Sequence, residues 1–332
     1  MKIAVIGDGG WGTTLAVHLQ KKGNNVFLWG AFPDYVEFMR QKRENKKFLP
    51  GIEIPHELGL TGDIEEAVHA AKMVVLAVPS HFMRGVLQQF PSRKWDDTIF
   101  ISVSKGIEND TLKRMSEVIG ETVRPKKVAV LSGPSHAEET ARGIPTSVVV
   151  ASRDHEDAKA VQTIFSSPSF RVYSSTDVVG VELGGSLKNV IAIAAGISDG
   201  LGFGDNSKAA LMTRGIAEMM RLGVALGGKP QTFSGLSGIG DLITTCISRH
   251  SRNRNFGEMI GNGKSVEEAL RSTEMVVEGF RTAKSVHQIY SRTNVKMPIA
   301  EEAYKVLYEG KKPLKAVEDL MMRDLKAEAE GA

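Results

Sequence analysis

Short apolar runs recur along the first half of the chain, at 2–7, 26–29, 73–79, 98–103, 127–132, 146–151 and 170–173. They are rich in Val and Ile, and several end in Gly, Ser or Pro, as strands buried on both faces do. Between the first two lies 13–22, where Leu15, Ala16 and Leu19 recur at helical spacing. Strand, helix, strand in repetition predicts a mostly parallel sheet with helices on both faces and right-handed crossovers. After about residue 176 the strand signal stops. Residues 177–200, 206–226, 265–270, 279–290 and 299–308 read as helices. Ser265 with Glu268 three residues on predicts a capping box, and Gly227-Gly228-Lys229-Pro230 marks a helix end. The expected fold class is therefore α/β for residues 1–176, joined to an all-helical domain over 177–332. There is no internal repeat, and the one biased segment is a charged tail over 323–330.

Composition narrows this picture. A length of 332 residues fits about two domains. Hydrophobic residues at 42% and charged residues at 24% exclude a disordered or fibrous chain. A net charge of +3 is too small to imply a nucleic-acid partner or a membrane surface. Cys246 stands alone, so no intrachain disulfide forms, which fits a reducing compartment. The apolar N-terminal run is too short for a signal peptide's core, and apolar stretches such as 190–197 fall below the ~20 residues of a membrane span. A cytoplasmic protein without membrane insertion is expected. Glycine is in excess, 34 residues or about a tenth of the chain. Extra glycine means tight turns or backbone that must approach something closely.

The first glycine cluster is Gly7-Asp8-Gly9-Gly10-Trp11-Gly12. It matches G-x-G-x-x-G and stands where that string carries weight, after a strand and opening a helix. Gly7 permits the turn, Gly9 lets backbone N–H groups reach a pyrophosphate, and Gly12 lets helix and strand pack closely. The helix N-terminus favours the anion. The second strand of such a unit usually ends in an acid that bonds a ribose hydroxyl. Here it runs Leu28-Trp29-Gly30-Ala31-Phe32, with neither an acid nor an arginine; Asp34 and Arg40 are the nearest. The lack of a local cation for a 2′-phosphate leans the expectation towards NAD over NADP.

Three further segments suit small anions. Ser104-Lys105-Gly106 follows a predicted strand, at the edge where open α/β sheets bind ligands. Ser132-Gly133-Pro134-Ser135-His136-Ala137 is a second small-residue loop at a strand end. Ser248-Arg249-His250-Ser251-Arg252-Asn253-Arg254-Asn255 is polar and basic, and arginine forks match phosphate oxygens. Cys246 and His250 lack a third partner for a metal, and Ser135 beside His136 lacks a nucleophile elbow.

Taken together with Phe48-Leu49-Pro50-Gly51, Val78-Pro79-Ser80, Ser186-Leu187-Lys188-Asn189-Val190, the run GLGFGDNSKAALMTR from Gly200, the run GLSGIGDLITTC from Gly235, and Val277-Glu278-Gly279, these segments resemble the bacterial-type NAD(P)-dependent glycerol-3-phosphate dehydrogenases, in family order and over nearly the whole chain. The resemblance implies a Rossmann-like N-terminal domain, a helical substrate-binding and catalytic domain, a homodimer, and reversible reduction of dihydroxyacetone phosphate to sn-glycerol 3-phosphate for phospholipid synthesis. It implies Lys188 as general acid/base, with Lys105 and Asp241 beside it in the catalytic set. For the cofactor it implies Gly7, Gly9, Gly10, Trp11, Gly12, Lys105, Ala137, Arg252, Val276 and Glu278, to which Phe32 is added as a candidate for packing on adenine. For the substrate it implies Lys105, Gly133, Ser135, Lys188, Asn189, Asp241, Thr245, Ser251, Arg252 and Asn253. The chain departs from the family pattern at Gly10, where many members carry Ser, and at Ala31 and Phe32, where many carry Arg or His. A related reductase of hydroxy acids or ketopantoate, and a noncatalytic dinucleotide sensor, are the alternatives; retained Lys105, Lys188 and Asp241 weigh against the sensor.

Overall fold

The computed structural model describes residues 1–273, 275–325, 327 and 328. Part of the predicted charged tail, at 326, 329 and 330, lies outside the described residues. The chain forms two compact units. The first holds Met1–Ser104 and Met115–Val178, and the second holds Lys105–Arg114 and Val179–Ala332.

Among the described residues of the first unit, eight strands make one sheet. In chain order the strands are β1 (Lys2–Ile6), β2 (Asn25–Trp29), β3 (Glu44–Asn45), β4 (Leu49–Glu53), β5 (Gly59–Thr61), β6 (Met73–Leu76), β7 (Ile99–Ser102), β8 (Lys127–Ser132), β9 (Thr146–Ser152) and β10 (Phe170–Ser175). The large sheet has the order β10-β9-β8-β7-β6-β1-β2-β5, and β3 and β4 form a separate hairpin. Every pairing in the large sheet is parallel except β8 with β9. Strand residues alternate between two cores. Ile3, Val5, Met73, Val75, Ile99 and Ile101 enter one, while Ala4, Ile6, Val74, Leu76 and Phe100 enter the other. Burial on both faces is why these strands read as continuous apolar runs. The sequence pattern missed β5 and the β3–β4 hairpin, which are short and carry Gly, Asn and Pro.

The second unit is helical, around one apolar cluster that includes Leu187, Val190, Ile191, Ile193, Leu242, Cys246 and Phe256. Its central helix, Val178–Gly200, is by length and composition alone long and apolar enough to cross a membrane. Of its most apolar window, 89% is buried inside the protein, so it is a core helix. Asp205–Ala225, Arg252–Gly261, Val266–Arg271, Glu278–Thr293 and Pro298–Tyr308 pack in the same unit, and the capping box of Ser265 and Glu268 is formed. Helices Asp241–Ile247 and Pro313–Met321 lie outside the stretches that the sequence pattern marks as helical.

The glycines of this unit set how closely the helices approach. A Cβ on Gly196 would lie 1.9 Å from the carbonyl oxygen of Arg254, and one on Gly200 would lie 2.4 Å from that of Glu258. Reciprocally, Cβ atoms on Gly257 and Gly261 would meet the carbonyls of Ile193 and Ile197 at 2.1 and 2.4 Å. Helices Val178–Gly200 and Arg252–Gly261 therefore cross backbone against backbone. Asp199 holds the crossing by ion pairs to Arg254 and Lys208, each 2.7 Å.

The strand and helix signals put a single boundary after residue 176. That single cut does not capture Lys105–Arg114, which packs with the second unit: Ile107 joins the helical core, and Ser285 Oγ donates to the Ile107 carbonyl at 3.2 Å. Residues close in sequence to β7 take their packing partners from helices far along the chain, which local periodicity does not report.

Replacing Gly196 by Ala should destabilise the protein by about 1–3 kcal/mol, because the helix backbones must separate. Gly120, in helix Met115–Thr122, would meet nothing within 4 Å, so Gly120→Ala should be neutral or stabilising by about 0.4–1 kcal/mol. Urea denaturation midpoints check both; equal midpoints for the two variants would contradict the close crossing.

Candidate functional site

In the first unit the candidate residues gather where the strand order reverses. β1 lies between β6 and β2, and the crevice beyond the carboxyl ends of such strands is where open α/β sheets take ligands. The turn after β1 is tightly built. Gly7 has φ +116°, and a Cβ there would meet the backbone of Ala77 at 2.8 Å. A Cβ on Gly12 would meet the Gly7 carbonyl oxygen at 1.9 Å. Gly9 differs: nothing lies within 4 Å of its Cβ position, directly before the helix Gly10–Lys21 that it caps without a side chain. This open space before unpaired first-turn N–H groups fits a pyrophosphate.

Other first-unit candidates take defined places. A Cβ on Gly10 would lie 2.6 Å from the Phe48 carbonyl oxygen and 3.5 Å from the Ala137 Cβ. Phe48 thus explains the departure at position 10, because a serine there would require its backbone to move. Thr14, which sequence reasoning passed over, donates to the Ala137 carbonyl at 3.2 Å and ties the glycine turn to the loop after β8. Gly133 has φ +138°, and Ser135 Oγ donates to its carbonyl at 2.9 Å. Trp11 packs against Phe170, with ring centroids 6.3 Å apart. Phe32 is 69% exposed where the chain leaves β2.

The second unit contains the titratable cluster. Lys188, on the central helix, is 6% exposed. Its Nζ lies 2.9 Å from Asp241 Oδ1 and donates to Thr245 Oγ1 at 2.5 Å. Lys105 Nζ donates to the other carboxylate oxygen, Asp241 Oδ2, at 2.7 Å. Asp241 is 2% exposed and opens the helix Asp241–Ile247 directly after a π-helical turn, Leu236–Gly240. That turn rests on the central helix at Gly184, where a Cβ would lie 2.4 Å from the Ser237 carbonyl oxygen. π-Helical insertions commonly mark functional sites, because they re-aim the residues after them.

Burial and charge act on this cluster in opposite senses. Burial pushes the Lys188 ammonium down, Asp241 pulls it back up, and Lys105 pushes it down again; the outcome is about 8. Burial raises the Asp241 carboxyl, but Lys105 and Lys188 outweigh it and hold the group below its ordinary value. Cys246, beneath Lys188, is pushed by burial up to about 12, so its thiol stays protonated and unreactive.

The polar and basic run forms the start of helix Arg252–Gly261. Ser251 is its N-cap: the Oγ accepts from the Arg254 N–H at 3.2 Å, and the residue is buried. Arg252 is exposed and donates to the Val276 carbonyl at 3.3 Å. Asn253 donates from Nδ2 to Asn189 Oδ1 and accepts at Oδ1 from the Gly279 N–H, both at 2.9 Å. Asn189 in turn donates to the Lys105 carbonyl at 3.4 Å. Asn189 and Asn253, expected as substrate contacts, thus brace Lys105, the central helix and the Arg252 turn against one another. Val276 and Glu278 lie beside that turn, Glu278 opening helix Glu278–Thr293. Among the described residues no three His, Cys, Asp or Glu side chains converge in a way that would hold a metal ion. Cys246 is buried, whereas His250 is exposed.

Comparison with known proteins places this arrangement. The family model for the NAD-dependent glycerol-3-phosphate dehydrogenase N-terminus matches residues 2–158, and that for the C-terminus matches 177–318. The chain is 53% identical over 331 residues to a glycerol-3-phosphate dehydrogenase [NAD(P)+] of Chlorobium phaeobacteroides (strain BS1), covering 99% of both chains. It superposes on the crystal structure of a glycerol-3-phosphate dehydrogenase from Coxiella burnetii with a TM-score of 0.91 at 36% identity, covering 97% of this chain and 99% of that one. A ketopantoate reductase from Ralstonia eutropha JMP134 covers 96% of this chain and 100% of its own, at a TM-score of 0.60 and 15% identity, a likeness of fold alone. By its fold, its two family matches and its relatives, the chain belongs to the NAD-dependent glycerol-3-phosphate dehydrogenase family.

Proposed function

We propose that this chain interconverts dihydroxyacetone phosphate and sn-glycerol 3-phosphate with Lys188 as its general acid and base. The observation that carries this reading is the buried Lys188–Asp241–Lys105 cluster, in which a lysine has been brought to about 8. The first unit, with Gly7, Gly9, Gly10 and Gly12, holds the dinucleotide; the second binds and converts the substrate. When bound, the nicotinamide supplies the hydride that the ketone carbon accepts. Negative charge then develops on the carbonyl oxygen. The Lys188 ammonium stabilises that charge and delivers the proton, so that ketone, hydride and proton give the secondary alcohol. In oxidation the neutral Lys188 amine takes the hydroxyl proton. Asp241 keeps Lys188 charged at neutral pH and fixes its direction, and Thr245 holds it from a second side. Lys105 offsets part of Asp241's pull, which keeps the amine accessible as a base.

Arg252 and the first-turn N–H groups of its helix hold the substrate phosphate, with Ser251 and Asn253 shaping that turn. A phosphate held away from the reacting carbon contributes binding energy that orients the ketone. The same reading makes the protein a cytoplasmic homodimer that supplies glycerol phosphate for phospholipid synthesis.

Lys188→Met should lower kcat by about 10²–10⁴-fold in both directions. Turnover within about tenfold of wild type would remove Lys188 from the acid's role.

The pH profiles should be opposed. Reduction needs the ammonium and should fall as pH rises through about 8; oxidation needs the amine and should rise through the same range. Asp241→Asn removes the group that pulls Lys188 up, so both inflections should move to lower pH. Inflections that stay in place in this variant would show that another group titrates.

Arg252→Ala should strongly impair use of dihydroxyacetone phosphate while hardly changing the slow use of unphosphorylated dihydroxyacetone. Equal losses of kcat/KM for both substrates would refute the phosphate role.

A further inference from the structure

The end of β2 lacks the acid that a dinucleotide-binding unit usually carries there, and Gly30 offers no side chain at all. The space beside it is nevertheless filled. A Cβ built on Gly30 would lie 2.5 Å from Asp8 Oδ2, 2.9 Å from Asp8 Cγ and 2.7 Å from Val36 Cγ2. The carboxylate of Asp8, which comes from the glycine turn after β1, has entered the place of a side chain at the β2 terminus. Gly30 is what permits this, because any larger residue would displace the carboxylate.

The rest of the neighbourhood holds Asp8 there. Asn45 Nδ2 donates to the Asp8 carbonyl at 2.6 Å and to Thr13 Oγ1 at 2.7 Å. Tyr35 donates its hydroxyl to Asn45 Oδ1 at 2.8 Å and accepts from the Lys47 N–H at 2.8 Å. Burial pushes the Asp8 carboxyl above its ordinary value, against the pull of its own N–H and of Lys47. A charge shielded from water repels a second like charge more strongly than one in bulk solvent. The nearby arginine forks are committed elsewhere. Arg40 bonds Glu37 and the Leu60 carbonyl, and Arg43 bonds the carbonyls of Pro55 and Leu58. Lys46 and Lys47, both exposed, remain as cations at this end.

We propose that Asp8 is the specificity-determining residue for the adenosine ribose: it accepts a hydrogen bond from the free 2′-hydroxyl and repels a 2′-phosphate, so that the chain prefers NAD(H) to NADP(H). Asp8 does from the glycine turn what an acid at the end of β2 does in other dinucleotide-binding units. The inference rests on the dinucleotide-binding reading of the first unit, but not on the reaction assigned above.

Calorimetric titration of the full chain with ADP-ribose and with 2′-phospho-ADP-ribose tests it without turnover. Wild type should bind ADP-ribose more tightly by about tenfold or more. Asp8→Asn, which keeps the shape and removes the charge, should move that ratio towards the phosphorylated ligand by about fivefold or more, and Asp8→Ala should move it in the same direction. A wild type that does not prefer ADP-ribose, or a shift smaller than this in both variants, overturns the proposal. A preference for the phosphorylated ligand that disappears in Lys46→Ala/Lys47→Ala would assign discrimination to those lysines instead. Parallel rates with NADH and NADPH keep the two readings apart. The expected binding ratio without any oxidation of NADH by dihydroxyacetone phosphate would sink the reaction and leave the role of Asp8 standing.

Discussion

Two lysines share one buried carboxylate, and the second unit is organised around that constraint. An isolated ammonium in an apolar helix bundle is costly and tends to lose its proton. Asp241 makes the Lys188 charge tolerable, and Lys105 keeps Asp241 ionised while weakening its hold on Lys188. Remove any one of the three and the other two are left with an imbalance that burial magnifies. The arrangement therefore ties protonation chemistry to position: a lysine near 8 exists only while all three groups keep their places.

Those places are kept by backbone more than by side-chain bulk. Gly196 and Gly200 on one helix and Gly257 and Gly261 on the other let Val178–Gly200 and Arg252–Gly261 meet at their peptide groups. Gly184 does the same for the π-helical turn that leads into Asp241. Along the joins, Asn189 and Asn253 pass a chain of hydrogen bonds from the Lys105 carbonyl to the Gly279 N–H. Paired amides of this kind resist sliding, because each displaced partner would leave a buried polar group unmatched. Asp199 adds an ion pair to Arg254 across the same crossing and another to Lys208 on helix Asp205–Ala225. The glycine excess of the chain thus goes to two places, a tight turn after β1 with open space at Gly9 and contact between helix backbones in the second unit.

The first unit was readable in proportion to how local its signals are. A strand buried on both faces shows itself as an apolar run, and the glycine turn has a fixed order of roles, so β1, β2, β6, β7, β8, β9 and β10 and the turn itself were visible. β5 is three residues long, and its place at the sheet edge depends on β2 rather than on its own pattern. The missing serine at position 10 looked like a lost contact; in the fold it is a steric requirement set by the Phe48 carbonyl, distant in sequence. The family resemblance implies Asn189 and Asn253 as substrate contacts; their hydrogen bonds, which only the fold shows, add that they brace the site.

By itself the sequence determined the fold class, the turn that opens the first helix, and the residue types available for proton transfer and phosphate binding. The first two follow from periodicity and glycine spacing, and the residue types follow from the chemistry of single side chains together with the family resemblance that singles out Lys188 and Asp241. The tertiary structure alone decided which charges meet. Lys105, Lys188 and Asp241 come from three separate segments, and the Lys188 proton affinity depends on burial and on distances of 2.7 and 2.9 Å that no segment encodes alone. It also decided that Lys105–Arg114 packs with the helices and that the Asp8 carboxylate stands beside Gly30. Proton affinity and charge discrimination are properties of neighbours in space, and neighbours in space are set by packing across the whole unit.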